Sequence, residues 1–273
     1  MDTSRRALIL GSILAGGVFA VGVGPPMCSM AMRRGSMDSK SPPPKRPAGT
    51  PAPLVEEDIA PVLKRLESWY DDHLDPALYQ FNPPASDAAL DALEQTVGIA
   101  LPRAYRQLYS WHDGETDDCH GHIYGLPIIP LEWVEAEWKA WRQVEADFGG
   151  DRYKIPGGSW PEGAVDPAYL NEKWLPLTID GSGNSIGLDF DPWPNGTVGQ
   201  VILFGRDEDV KAVLAPSLGR FLEWIADLLE SGNFRFDAVT GEQILRLFRL
   251  KDPAEDHFHE GARKLLGAPG PYL

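Results

Sequence analysis

The chain has 273 residues, 43% of them hydrophobic, with 9 Trp, 8 Tyr and 10 Phe, enough to bury a sizeable core and to exclude a disordered chain. Two cysteines, Cys28 and Cys119, are too few for a disulfide framework. The net charge of -15 is uneven: residues 1–53 hold seven basic side chains (Arg5, Arg6, Arg33, Arg34, Lys40, Lys45, Arg46) against Asp2 and Asp38, which leaves -20 on the remainder. A body this acidic repels phosphate backbones and anionic membrane surfaces and attracts basic protein.

Residues 1–24 read as a targeting segment. Arg5 and Arg6 precede an apolar run diluted by Gly11, Gly16, Gly17 and Gly22, with Val18-Phe19-Ala20 as a small-x-small cleavage site. The pattern resembles a twin-arginine export signal. An uncleaved membrane anchor is the second reading, and translation from Met30, Met32 or Met37, giving a cytoplasmic protein, is the third. Cys28 lacks the small residues of a lipoprotein cleavage box. Residues 25–53, with Pro42-Pro43-Pro44, Pro47, Pro51 and Pro53, read as a semi-rigid polyproline tether. The folded body is expected to begin near Leu54.

Ile59, Val62, Leu63 and Leu66 share one helical face, and Ser86 and Gly98 bracket a helix carrying Leu90, Leu93 and Val97. Leu101-Pro102 opens a third helix that Asp113-Gly114 ends, and Val134, Trp138, Trp141 and Glu145 give residues 131–147 a Trp-rich helical seam, read as core. The period then shortens. Trp174–Ile179, Ser185–Phe190, Val201–Phe204 and Val210–Leu214 read as strands joined by short loops, hence an antiparallel meander. Pro216-Ser217 opens a helix with Leu218, Phe221, Leu222, Ile225, Leu228 and Leu229 on one stripe. Thr240 and Gln243 form a capping box for a short helix to Leu250, followed by a loose tail. The class expected is α+β, a mostly antiparallel sheet flanked by helices.

Leu101-Pro102-x-x-Tyr105-x-x-Leu108-Tyr109-x-x-His112-Asp113-Gly114, Trp174-Leu175-Pro176-Leu177 with Asp180-Gly181-x-Gly183-Asn184, Gly199-Gln200-Val201 and Ala215-x-Ser217-x-x-x-Phe221-Leu222 occur in order across residues 54–236. This succession resembles the SUKH superfamily, the Smi/Knr-like domain. The resemblance implies an α+β domain without catalytic machinery, found in fungal cell-wall regulators and in bacterial immunity proteins that bind polymorphic toxins. The Asp117–Gly125 and Gly149–Tyr169 segments are longer than it implies.

Three constellations could carry chemistry. Residues 111–122 concentrate three His, Cys119 and four carboxylates. Cys119, His120 and His122 match no structural zinc spacing, so the segment reads as a solvated loop and no metal or cofactor is expected. The run Asp180 to Asp191 has Ser185 and Asp191 where a calcium loop needs Gly and Glu, and reads as a hairpin. Asp189 and Asp191 lie two apart on a strand, where they could do acid/base work or present a negative patch. No Gly-x-Ser-x-Gly elbow or phosphate loop occurs.

The function expected is therefore non-enzymatic protein binding: an immunity protein masking a basic toxin domain, or alternatively an envelope-tethered regulatory adaptor, with a metal-dependent hydrolase third. No nucleic acid is expected, and membrane only through an uncleaved leader. Partner contacts are expected at Trp111, Asp113, Asp117 and Asp118, and at Asp189, Asp191 and Trp193, because both segments interleave carboxylates with Trp just outside regular structure.

Overall fold

A computed structural model describes residues 42–117, 119–239 and 245–273; the leader, most of the expected tether, Cys28 and Asp118 lie outside them. The elements are α1 (Ala60–His73), α2 (Asp87–Val97), α3 (Arg103–Trp111), α4 (Leu131–Asp147), β1 (Gly158–Trp160), β2 (Trp174–Ile179), β3 (Asn184–Asp189), β4 (Gln200–Gly205), β5 (Val210–Ala215), α5 (Leu218–Glu230), β6 (Phe234–Val239), β7 (Leu245–Leu250) and α6 (Phe258–Leu266). The fold is α+β. β2 to β5 form the antiparallel meander, and the short β1 adds in parallel at β5, giving the order β1-β5-β4-β3-β2. Among the described residues no helix is long and apolar enough to cross a membrane.

Local signals set the helix ends. The Ser86 hydroxyl accepts from the Ala89 amide at 3.2 Å, and Gly98 closes α2 at φ 62°, a conformation that costs a Cβ-bearing residue energy. Ser217 caps α5 in the same way through the Arg220 amide. Behind that cap, Phe221, Leu222, Ile225 and Leu229 are buried in the main core, each side chain contributing about 1.5–3 kcal/mol.

The sheet buries both faces. Along β4, Val201 and Leu203 join the main core beneath the helices, whereas Ile202 and Phe204 join a second cluster with Ala164, Val165, Ala168 and Trp174. That second cover comes from the 149–170 segment, one of the two longer than the resemblance implies. Polar residues that alternate onto this face are therefore buried too, among them Asp189, Gln200 and Lys211.

Three expectations change. Residues 245–250 form a strand rather than a helix, paired in register with β6 from Phe234↔Leu250 to Val239↔Leu245; the capping-box residues Thr240 and Gln243 lie outside the described residues. The tail beyond Leu250 is not loose: Phe258 and Ala262 belong to the main core, and Arg263 pairs with Glu208 in the interior. The chain also meets the body before Leu54. Ala52 bridges Thr197, and Arg46 donates to Asp191 Oδ1 at 2.9 Å and to the Pro192 carbonyl at 2.5 Å.

Candidate functional site

The two segments expected to contact a partner have different fates. In the first, Trp111 closes α3 half-buried, its ring 4.8 Å from that of Phe81 and its indole N–H donating to Glu67 on the exposed side of α1 at 3.4 Å. Asp117 is exposed nearby in sequence. Asp113 supports the backbone instead. Its Oδ1 accepts the Leu131 amide at 2.8 Å, satisfying a free N–H at the start of α4, where Pro130 offers no side-chain cap. Trp111 and Asp117 thus remain available to a partner, and Asp113 is engaged by the fold.

The second segment turns inward. Asp189, 0% exposed, accepts from Gln200 Nε2 at 2.9 Å and from the Asp191 amide at 3.0 Å. Burial pushes its carboxyl up to about 7 against those hydrogen bonds, and the nearby Asp191 and Asp166 carboxylates push the same way. Asp191 lies just past β3 and is held by Arg46, while Asn171 Nδ2 bridges it at 3.3 Å to the buried Asp166 at 3.2 Å. Arg152 reaches Asp166 at 2.9 Å. Trp193 is only 7% exposed. The expected acidic patch at Asp189 and Asp191 is therefore corrected to a largely internal network. Asp189 lies on the face of β3 that the 149–170 segment covers, and Asp191 lies beyond the end of the strand.

The residues expected to form a solvated loop between α3 and α4 are also buried in part. Phe81 bridges Glu115, which draws that carboxylate into the core, where Glu115 and His122 are each 2% exposed. Glu115 Oε1 accepts the Ile128 amide at 2.8 Å and the His122 amide at 3.2 Å. Its Oε2 accepts the Cys119 thiol at 2.7 Å and lies 3.0 Å from His122 Nδ1; Cys119 Sγ and His122 Nδ1 are 3.7 Å apart. Burial, together with the Glu115 charge, pushes the Cys119 thiol up to about 12. His122 stacks on Phe81 with centroids 3.9 Å apart and meets Tyr70 edge-on. Among the described residues this is the one group of three or more His, Cys, Asp or Glu donors close enough together to share a cation. Sequence spacing singled out Cys119, His120 and His122; the structure replaces His120 with Glu115, whose signal was its place four and seven residues ahead of the other two.

Two clefts flank α6. The larger, about 380 Å³, is lined by His120, Leu126, Asp180, Arg249, His257 and Phe258, and the other, about 240 Å³, by Asp180, Glu208, His259 and Arg263 among others.

With this geometry in place, residues 84–224 match the SMI1/KNR4 family (SUKH-1). Among its relatives, the Schizosaccharomyces pombe cell wall biosynthesis/cell cycle regulator smi1 is 32% identical over 80% of this chain and 44% of its own length. The Saccharomyces cerevisiae cell wall assembly regulator SMI1 is 28% identical over 71% of this chain and 46% of its own, and the Neurospora crassa glucan synthesis regulatory protein 28% over 73% and 44%. The chain belongs to the SMI1/KNR4 family. It spans less than half the length of these curated relatives.

Proposed function

We propose that this chain is a non-catalytic regulatory adaptor of the cell-wall regulator type, acting by binding a basic protein partner through the surface around Trp111 and Asp117. The observation that carries the regulatory reading is that the relatives above are named as regulators of wall assembly, wall biosynthesis or glucan synthesis. The toxin-immunity reading lacks comparable support. A binding role is further supported by the chemistry of the carboxylates that sequence offered for acid/base work, since Asp189 is occupied by the Gln200 amide and Asp191 by Arg46 and Asn171. The Arg5-Arg6 leader and the proline-rich stretch would tether such an adaptor at the envelope.

Deleting the gene in its own organism tests this. The wall polysaccharide of the deletion strain should change in amount or cross-linking, and wild-type protein should restore it. An unchanged wall, with cells that instead become sensitive to a toxin encoded beside the gene, would overturn the regulatory reading in favour of immunity.

A further inference from the structure

We propose that Glu115, Cys119 and His122 form a binding site for one borderline-soft divalent transition-metal ion, with zinc the ion that the donor set fits. The three donor atoms lie within 4.8 Å of one another. Tetrahedral bonds of about 2.0 Å to nitrogen or oxygen and about 2.3 Å to sulfur set donor-to-donor edges of roughly 3.3–3.5 Å. The observed edges are 3.7 Å from sulfur to nitrogen, 3.0 Å from oxygen to nitrogen and 2.7 Å from oxygen to sulfur. The oxygen–sulfur edge must open by less than about 1 Å and the oxygen–nitrogen edge by about 0.3 Å to admit the ion at one tetrahedral face. On binding, the Cys119 S–H proton leaves to solvent and the sulfur lone pair takes the metal.

The donor types select the ion. One sulfur, one imidazole nitrogen and one carboxylate oxygen suit zinc or its neighbours in the first transition series, whereas calcium and magnesium take oxygen-rich sets. Three protein ligands leave a fourth position for water.

The surroundings hold the ligands in place before any ion arrives. The backbone amides of Ile128 and His122 orient the Glu115 carboxylate, leaving Oε2 toward the other two donors. Phe81 and Tyr70 fix the plane of the His122 ring. Gly121, at φ 85°, lets the chain turn tightly enough that a Cβ there would meet the Gly125 carbonyl carbon at 2.4 Å. Such support is what tunes ligand orientation and affinity in metal sites. The ion would also brace the loop between the Glu115 and Cys119 ligands, which carries Asp117.

The test uses the full chain carrying Cys28→Ser, so that Cys119 is its one thiol. The protein is purified without a metal-affinity tag, stripped with chelator and titrated with cobalt(II). One cobalt per chain is expected, with a sulfur-to-cobalt charge-transfer band in the near ultraviolet. Cys119→Ser, a near-isosteric change at a half-buried position, should abolish the band. It should also weaken cobalt binding by more than the roughly 10–100-fold that losing a supporting residue costs. His122→Gln should weaken binding similarly. Circular dichroism and the melting temperature of the metal-free variants, compared with those of the metal-free parent, show that the fold survives. Substoichiometric cobalt in the parent, or binding that Cys119→Ser leaves unchanged, would overturn the proposal and leave the trio a hydrogen-bonded cluster.

Discussion

Arg46 and Asp191 lie 145 residues apart and meet at 2.9 Å, pinning the proline-rich approach to the end of β3. The pair is 43% and 29% exposed at its two side chains, so solvent screens it. Arg46→Ala should lower the unfolding free energy by no more than about 1 kcal/mol, and the difference should shrink at high salt. Urea titrations at low and high ionic strength check this.

Asp189 makes the stability depend on pH. Its carboxyl is pushed from 3.8 up to about 7 by burial. Between those values the native state holds a proton that the unfolded chain has lost, so stability falls as pH rises through this window and levels off above it. Asp189→Asn should remove most of the slope. Asp166 and Glu137, whose carboxyls burial also raises, add to the slope, and His257, which burial lowers, opposes it. Urea midpoints between pH 4 and about 8 measure it.

Lys211 acts at higher pH. It is fully buried, its ammonium 5.9 Å from the Trp174 ring centre and 5.8 Å from that of Tyr169, and burial lowers it from 10.5 to about 8. The unfolded chain binds more protons between those values, so stability rises as pH increases from about 8 to 10.5. Lys211→Met should flatten that rise and stabilise the protein at neutral pH by on the order of 3 kcal/mol. Equilibrium unfolding of both proteins at neutral and alkaline pH provides the measurement.

Phe248 tests whether the chain beyond residue 236 belongs to the folding unit. It is 1% exposed, stacked on Tyr124 at 4.9 Å and Phe236 at 5.5 Å. Phe248→Ala should cost about 3–5 kcal/mol in one cooperative transition. A loss below about 1 kcal/mol would make the β6–β7 hairpin an appendage.

The elements legible in the sequence are those that depend on neighbours in the chain. Ser86, Gly98 and Ser217 mark helix ends through bonds spanning a few residues, and the Leu218–Leu229 stripe needs only the helical period. What failed depends on distant covers. Asp189 alternates correctly along β3, but a period of two cannot tell whether the 149–170 segment lies over the polar face. Leu245–Leu250 follows a local helix-start signal yet pairs with Phe234–Val239, and such pairing has no local signature. Glu115 was one carboxylate among four until Phe81, 34 residues earlier, drew it inward.

Trp111 and Asp117 mark the surface through which the proposed adaptor binds its partner. A gene encoding Trp111→Ala with Asp117→Asn, introduced into the deletion strain, tests it most directly. Because Trp111 packs on Phe81 and donates to Glu67, the variant should lose about 1–2 kcal/mol of stability and still unfold in one cooperative transition. It should accumulate normally and fail to restore the wall polysaccharide. A stable, normally abundant variant that restores the wall as the parent does would move the interface elsewhere.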